Sequence, residues 1–173
     1  MYKLIAFDAY GTLFDVYSIA QLAEVIYPAK GKQLTEQWRE RQIEYTRLVT
    51  ISDPNPTGSQ YYLSFWEITA RALRYSCKRL GLPLTPENEA QLMGQYAKLE
   101  AFTESIEVLK GLQVAGISCA ILSNGSKEML ASAVDSNHLA PYLEKIISVA
   151  DTRLFKTAPQ TYGLLLDHFP VTK

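Results

Sequence analysis

Three stretches of the chain carry apolar residues with almost no polar alternation: Leu4 to Phe7, Ile117 to Leu122, and Lys145 to Val149 around Ile146-Ile147. Runs of this length and type suit strands buried on both faces of a parallel sheet. The intervening chain has a different rhythm. Residues 15 to 29 place Ile19, Leu22, Ala23 and Ile26 on one helical face, ending near Pro28, with a turn over Ala29 to Lys32. Residues 34 to 50 repeat the pattern with Leu34, Trp38, Ile43, Tyr45 and Leu48 among charges. Residues 60 to 80 read as a long aromatic helix. Thr85-Pro86-Glu87 joins an N-cap, a first-turn proline and a first-turn acid, so a further helix starts there and runs to about Leu99. Helices are also expected over 104 to 114 and 127 to 137.

Strands separated by helical segments indicate an α/β fold: a Rossmann-like parallel sheet core with helices on both faces. The first connection is far longer than one crossover needs. Residues 15 to 98 therefore read as an inserted α-helical cap domain, and 1 to 14 with 99 to 173 as the core. Ser52 to Ser59 (Ser-Asp-Pro-Asn-Pro-Thr-Gly-Ser) is the strongest loop signal, expected as a mobile loop over a site or at a subunit contact.

Composition narrows the function classes. The 173 residues are 47% hydrophobic, enough for a sizeable core, and the net charge is −1 with acids and bases interspersed. No basic field points to nucleic acid, and no apolar run reaches membrane-spanning length. Cys77 and Cys119 lack any ligand spacing and read as two structural thiols in a reducing, cytoplasmic compartment. His138 and His168 are the only histidines and lie apart from every motif, which leaves a histidine triad or zinc site without support.

The candidate chemistry sits where the strands end. In open α/β sheets, ligands bind past the carboxyl ends of the strands. The first strand runs into Asp8-Ala9-Tyr10-Gly11-Thr12-Leu13-Phe14, in which Gly11 permits a sharp turn and the Thr12 hydroxyl can reach a carboxylate. The second runs into Ser123-Asn124-Gly125-Ser126, and Lys156 follows the third, ahead of Thr157-Ala158-Pro159-Gln160-Thr161-Tyr162.

The string D-A-Y-G-T-L-F resembles the first motif of the haloacid dehalogenase superfamily, in which an aspartate nucleophile is followed by two variable residues and Gly-Thr-Leu. Phosphatases and mutases of that superfamily usually carry an acid two residues after the nucleophile, where this chain has Tyr10. A tyrosine there is similar to the (S)-2-haloacid dehalogenase branch. A halide leaves as an anion and needs no proton, so the acid is dispensable. Trp38-Arg39-Glu40-Arg41-Gln42-Ile43-Glu44-Tyr45 is similar to that branch's W-R-x-K-Q-L-E-Y stretch, and Ser123-Asn124-Gly125 is its form of the second motif.

The resemblance implies hydrolytic dehalogenation of (S)-2-haloalkanoic acids to (R)-2-hydroxyalkanoic acids through an ester on Asp8. Thr12 and Lys156 would aim Asp8. Arg39 and Asn124 would take the halide. Ser123 would grip the carboxylate. Ala9, Tyr10, Phe65, Trp66 and Tyr162 would complete the substrate surface, with Tyr62 as a further pocket or lid residue. Arg41 reads as part of a solvated helix face. No cofactor or metal is implied, and a homodimer is expected.

The chain departs from the pattern in three places. Thr157 stands where the family usually has proline. Ala150, next to Asp151, stands where an acid often precedes the lysine. The fourth motif, usually S-S-N-x-x-D, would follow beyond Lys173, and without the strand that carries it the first strand would be an exposed edge. The rival readings are a magnesium-dependent phosphatase and an inactive, shortened chain serving as an interaction module.

Overall fold

The computed structural model describes residues 2–169. Its sheet has three parallel strands, β1 (Leu4–Phe7), β2 (Ser118–Ser123) and β3 (Lys145–Ser148), in the spatial order β1-β2-β3. Phe7 pairs with Ile121, and Ser123 with Ser148. All three carboxyl ends therefore open on the same edge of the sheet. β1 is an edge strand here, and Ala6 is exposed.

Four helices fill the long connection after β1: α1 (Ala20–Ile26), α2 (Gly31–Ser52), α3 (Phe65–Leu80) and α4 (Pro86–Tyr96). A fifth, α5 (Ser105–Val114), returns the chain to the sheet. Helix α6 (Lys127–Ser136) links β2 to β3, and α7 (Pro159–His168) follows. Helices α1, α2 and α3 pack in succession, while α5 packs on β2 and α6 on β3. The buried side chains form one cluster running from Trp38, Leu73 and Leu92 among the helices to Ile121 and Leu130 at the sheet. Each large apolar side chain withdrawn from water stabilises the fold by about 1.5–3 kcal/mol. Asn137 ties the returning segment down: its side-chain amide donates to Leu99 O at 2.8 Å, and its oxygen accepts from the Ala101 N–H at 2.7 Å.

Two element boundaries differ from expectation for identifiable reasons. Helix α2 starts at Gly31 rather than Leu34, because the Glu24 carboxylate accepts from the Gly31 N–H at 2.8 Å and from the Ala29 N–H, and so caps the turn. Helix α3 starts at Phe65, not 60. Ser64 and Glu67 form a reciprocal capping box there, a Ser-x-x-Glu signal visible in the sequence. Tyr61 and Tyr62 consequently lie in the preceding loop. The loop is anchored at its C-terminal end. Ser59 is buried, its hydroxyl donating to Val49 O at 3.0 Å and its N–H to Arg153 O at 3.0 Å. Among the described residues, no helix is long and apolar enough to cross a membrane.

Candidate active site

Asp8 leaves the end of β1, and the chain then turns through Gly11 at φ +95°, a conformation that costs a residue with a Cβ. The Lys156 ammonium donates to Asp8 Oδ1 at 2.5 Å and to Leu122 O at 2.7 Å. The Lys156 backbone N–H donates to Asn124 Oδ1 at 2.8 Å. Asp8 after β1, Asn124 after β2 and Lys156 after β3 are thus fastened to one another, which is the outcome the parallel register allows. The Lys156–Thr157 peptide is cis at the position where the family pattern has proline.

Helix α2 faces these strand ends with Arg39. Its Nη2 donates to Tyr10 O at 2.8 Å and its Nη1 to Gln42 Oε1 at 2.7 Å. Between helix and sheet lies a cavity of about 140 Å³. Asp8, Tyr10, Arg39, Phe65, Ser123, Asn124 and Lys156 line it. So do Gln42, Ile43, Thr46, Arg47 and Thr157, to which no site role was assigned from sequence. Four of those five follow Arg39 by three, four, seven and eight residues. That is the spacing of one helical face, and it was a usable signal. Asp8 is the one carboxylate among these lining residues, against Arg39, Arg47 and Lys156. Such an excess of positive charge suits an anionic ligand.

The apolar wall is aromatic. The Tyr10 ring lies 5.4 Å from Phe65 and 5.8 Å from Tyr96, centroid to centroid, and Tyr96 lies 5.1 Å from Trp38. Burial pushes the Tyr10 phenol far above its ordinary range, helped by Tyr96 and Asp8 and opposed by Arg39, so it is protonated at neutral pH. Its buried hydroxyl has no hydrogen-bond partner among the described residues. Ser123 is fully buried, and its Oγ accepts from the Gly125 N–H at 3.2 Å.

Other expected residues stand elsewhere. Trp66 is 38% exposed and lines a separate cleft of about 720 Å³ between α3 and α4, with Arg74, Glu89 and Met93. Successive helical residues are about 100° apart, so Phe65 facing the cavity turns Trp66 away. The same rotation buries Thr161 on α7 and leaves Tyr162 45% exposed, outside the cavity lining. Thr12 is exposed, and among the described residues it meets Asp8 through no side-chain hydrogen bond; its N–H donates to Ala9 O at 3.3 Å. Ala9 is wholly buried, its carbonyl serving the turn, and its side chain does not line the cavity. Tyr62 stacks on Phe155 at 5.4 Å. Arg41 is half-buried rather than fully solvated: its guanidinium lies 4.3 Å from the Tyr75 ring centroid and pairs with Glu44. A long arginine stem beside an aromatic side chain packs in preference to extending into water.

Among the described residues, the donor set is a poor match for magnesium, which takes several oxygen ligands in octahedral geometry. Asp8 is already engaged by Lys156, and the position two residues on is the buried phenol of Tyr10. Among the described residues, no three His, Cys, Asp or Glu side chains converge as metal ligands.

Residues 2–173 match the family model described as haloacid dehalogenase-like hydrolase. The chain belongs to the haloacid dehalogenase-like hydrolases. Within that family it is 34% identical over 160 residues to the (S)-2-haloacid dehalogenase of Pseudomonas putida, a match covering 92% of this chain and 67% of the relative. The crystal structure of an L-2-haloacid dehalogenase superposes with a TM-score of 0.92 at 46% identity, covering 99% of this chain and 74% of the other. The L-2-haloacid dehalogenase from Xanthobacter autotrophicus, solved with chloropropionic acid covalently bound, superposes with a TM-score of 0.87 at 35% identity, covering 99% and 66%. The chain spans about two thirds of the length of several of the curated relatives it matches.

Proposed function

We propose that this haloacid dehalogenase-like hydrolase cleaves the carbon–halogen bond of (S)-2-haloalkanoic acids, using Asp8 as the nucleophile and residues 15 to 98 as a helical cap. The observation that carries the reading is the Asp8–Lys156 pair in a small cavity that holds Arg39 and has a tyrosine in place of a second acid. The names of the haloacid dehalogenase relatives and of the structure with covalently bound chloropropionic acid support it.

One Asp8 oxygen attacks C2 from the side opposite the halogen. The C–O bond forms as the C–X bond breaks, C2 inverts, and the pair of electrons leaves with the halide. Lys156 orients the carboxylate for that attack. Arg39, and Asn124 at the end of β2, stabilise the charge that develops on the halide. Ser123 and the adjoining backbone hold the substrate carboxylate. The ring of Tyr10, with Phe65 and Ile43, encloses the alkyl group and keeps water from competing for C2. Water then attacks the carboxyl carbon of the Asp8 ester, releasing the (R)-2-hydroxyalkanoate, restoring Asp8 and yielding one proton and one halide ion per turnover.

A reducing cytoplasmic setting, with Cys77 and Cys119 both free and buried, and a homodimer belong to the same reading. Halide release from each enantiomer of 2-chloropropionate tests it. The (S)-enantiomer is expected to turn over at least about a hundredfold faster, because only one enantiomer presents its C–X bond in line with Asp8. Equal rates, or none, would contradict the proposal.

A further inference from the structure

Gln42 lies in the middle of α2 with its side chain fully buried. Its amide oxygen accepts from Arg39 Nη1 at 2.7 Å and from the Tyr96 hydroxyl at 3.0 Å. Its amide nitrogen donates to Thr69 Oγ1 at 2.5 Å. The Thr69 hydroxyl donates its own proton to Phe65 O at 2.7 Å, so toward Gln42 it can only accept. That settles which way round the amide stands: nitrogen toward Thr69, oxygen toward Arg39 and Tyr96. The Trp38 indole N–H, donating to Thr69 O at 2.8 Å, ties the same point of α3 to α2.

We infer that Gln42 is the positioning residue for Arg39. Resting on the dehalogenase reading, it fixes the direction from which the guanidinium meets the departing halide. Arg39 is held at two of its nitrogens, by Gln42 and by Tyr10 O, and both holders line the cavity. Tyr96 and Thr69 fix the amide from two other helices, so Arg39 is referenced to α3 and α4 as well as to its own helix. A buried amide bonded through both its oxygen and its nitrogen holds one arrangement, because turning it over would face donors to donors at Arg39 and Tyr96.

The test uses the Gln42→Met chain, which keeps length and volume and removes the acceptor. Single-turnover alkylation rates are measured with (S)-2-chloropropionate and (S)-2-iodopropionate. Chloride is the poorer leaving group and depends more on Arg39. The rate is expected to fall about 30-fold or more for the chloro acid and only about threefold for the iodo acid. In an Arg39→Lys background, Gln42→Met is expected to add less than about twofold, since residues acting as one unit are non-additive. A purely structural role would slow both substrates equally and add in full, and either result would overturn the inference. Should Gln42→Met fail to fold, Thr69→Val frees the same amide and is expected to shift the chloro-to-iodo ratio in the same direction; an unchanged ratio would overturn it. No turnover of any haloalkanoate by the wild-type chain would overturn the dehalogenase reading and this inference with it. Wild-type turnover with an unchanged ratio in the variant would overturn the inference alone.

Discussion

The Lys156 ammonium donates to Asp8 Oδ1 at 2.5 Å although 148 positions separate the two residues in the chain. The contact exists because β1, β2 and β3 run parallel in register, so their carboxyl ends share one edge. A second hydrogen bond, to Leu122 O, leaves the ammonium little freedom. On the proposed mechanism, replacing Lys156 by Met removes the group that orients Asp8. Halide release is expected to drop about 10³-fold with the circular dichroism unchanged, whereas Lys156→Arg retains the charge and loses less. Activity within tenfold of wild type in the Met variant would remove Lys156 from the mechanism.

Gly125 adjoins the Tyr10 ring. A Cβ there would stand 2.7 Å from Tyr10 Cε2 and 3.2 Å from Leu130. Tyr10 is hemmed in by Phe14, Phe65 and Tyr96 and cannot yield easily. Gly125→Ala is therefore expected to cost about 1–3 kcal/mol in urea unfolding, the usual size of overpacking, and to raise KM as Tyr10 is pushed into the cavity. Wild-type stability would show that the wall is softer than its packing indicates.

Arg47 is an exposed cation at the cavity, without a side-chain hydrogen bond or ion pair among the described residues. On the proposed function, its contribution to binding an anionic substrate is long-range attraction. Arg47→Gln is expected to lower kcat/KM by about three- to tenfold at low ionic strength, with the difference shrinking toward nothing near 0.5 M salt. A salt-independent loss would point to direct contact.

Burial pushes the Cys77 thiol up to about 11 from its ordinary 9.0, the Tyr27 hydroxyl opposing the shift. A group raised in the folded state contributes fully below its unfolded value and loses that contribution as pH rises through the folded one. Urea stability is therefore expected to decline between about pH 9 and 11, with this thiol accounting for on the order of 2 kcal/mol. Cys77→Ala should flatten that part of the curve. Burial raises the Cys119 thiol from the same ordinary value and adds to the decline over that range, while Tyr10 and Tyr96 shift in the same direction but begin to count only above their ordinary value of 10.0. An identical pH profile in the variant would contradict the assignment.

The fold was legible because β1, β2 and β3 are short apolar runs that each end in polar residues, and the Asp8, Asn124 and Lys156 positions fall at those ends. Arg39 was legible from the string around it, and Phe65 only through the resemblance. The helix faces were harder. Trp66 and Tyr162 are large aromatics next to buried residues, and only the exact start of α3 and α7 decides which neighbour turns inward. The Ser64–Glu67 capping box carried that information for α3. Gln42 was legible only as one letter of a motif. Its role depends on Tyr96 and Thr69, 54 and 27 positions away, and no local pattern encodes such a network.

The central claim is that the oxygen delivered to the product comes from Asp8 and that solvent replaces it there. A single turnover of (S)-2-chloropropionate in H₂¹⁸O, with protein in excess, tests this directly by peptide mass spectrometry. The account predicts ¹⁸O in the peptide carrying Asp8 and ordinary oxygen in the hydroxyl of the first product molecule. Label in that first hydroxyl with none at Asp8 would mean that water attacks C2 itself, and the nucleophilic role of Asp8 would be lost.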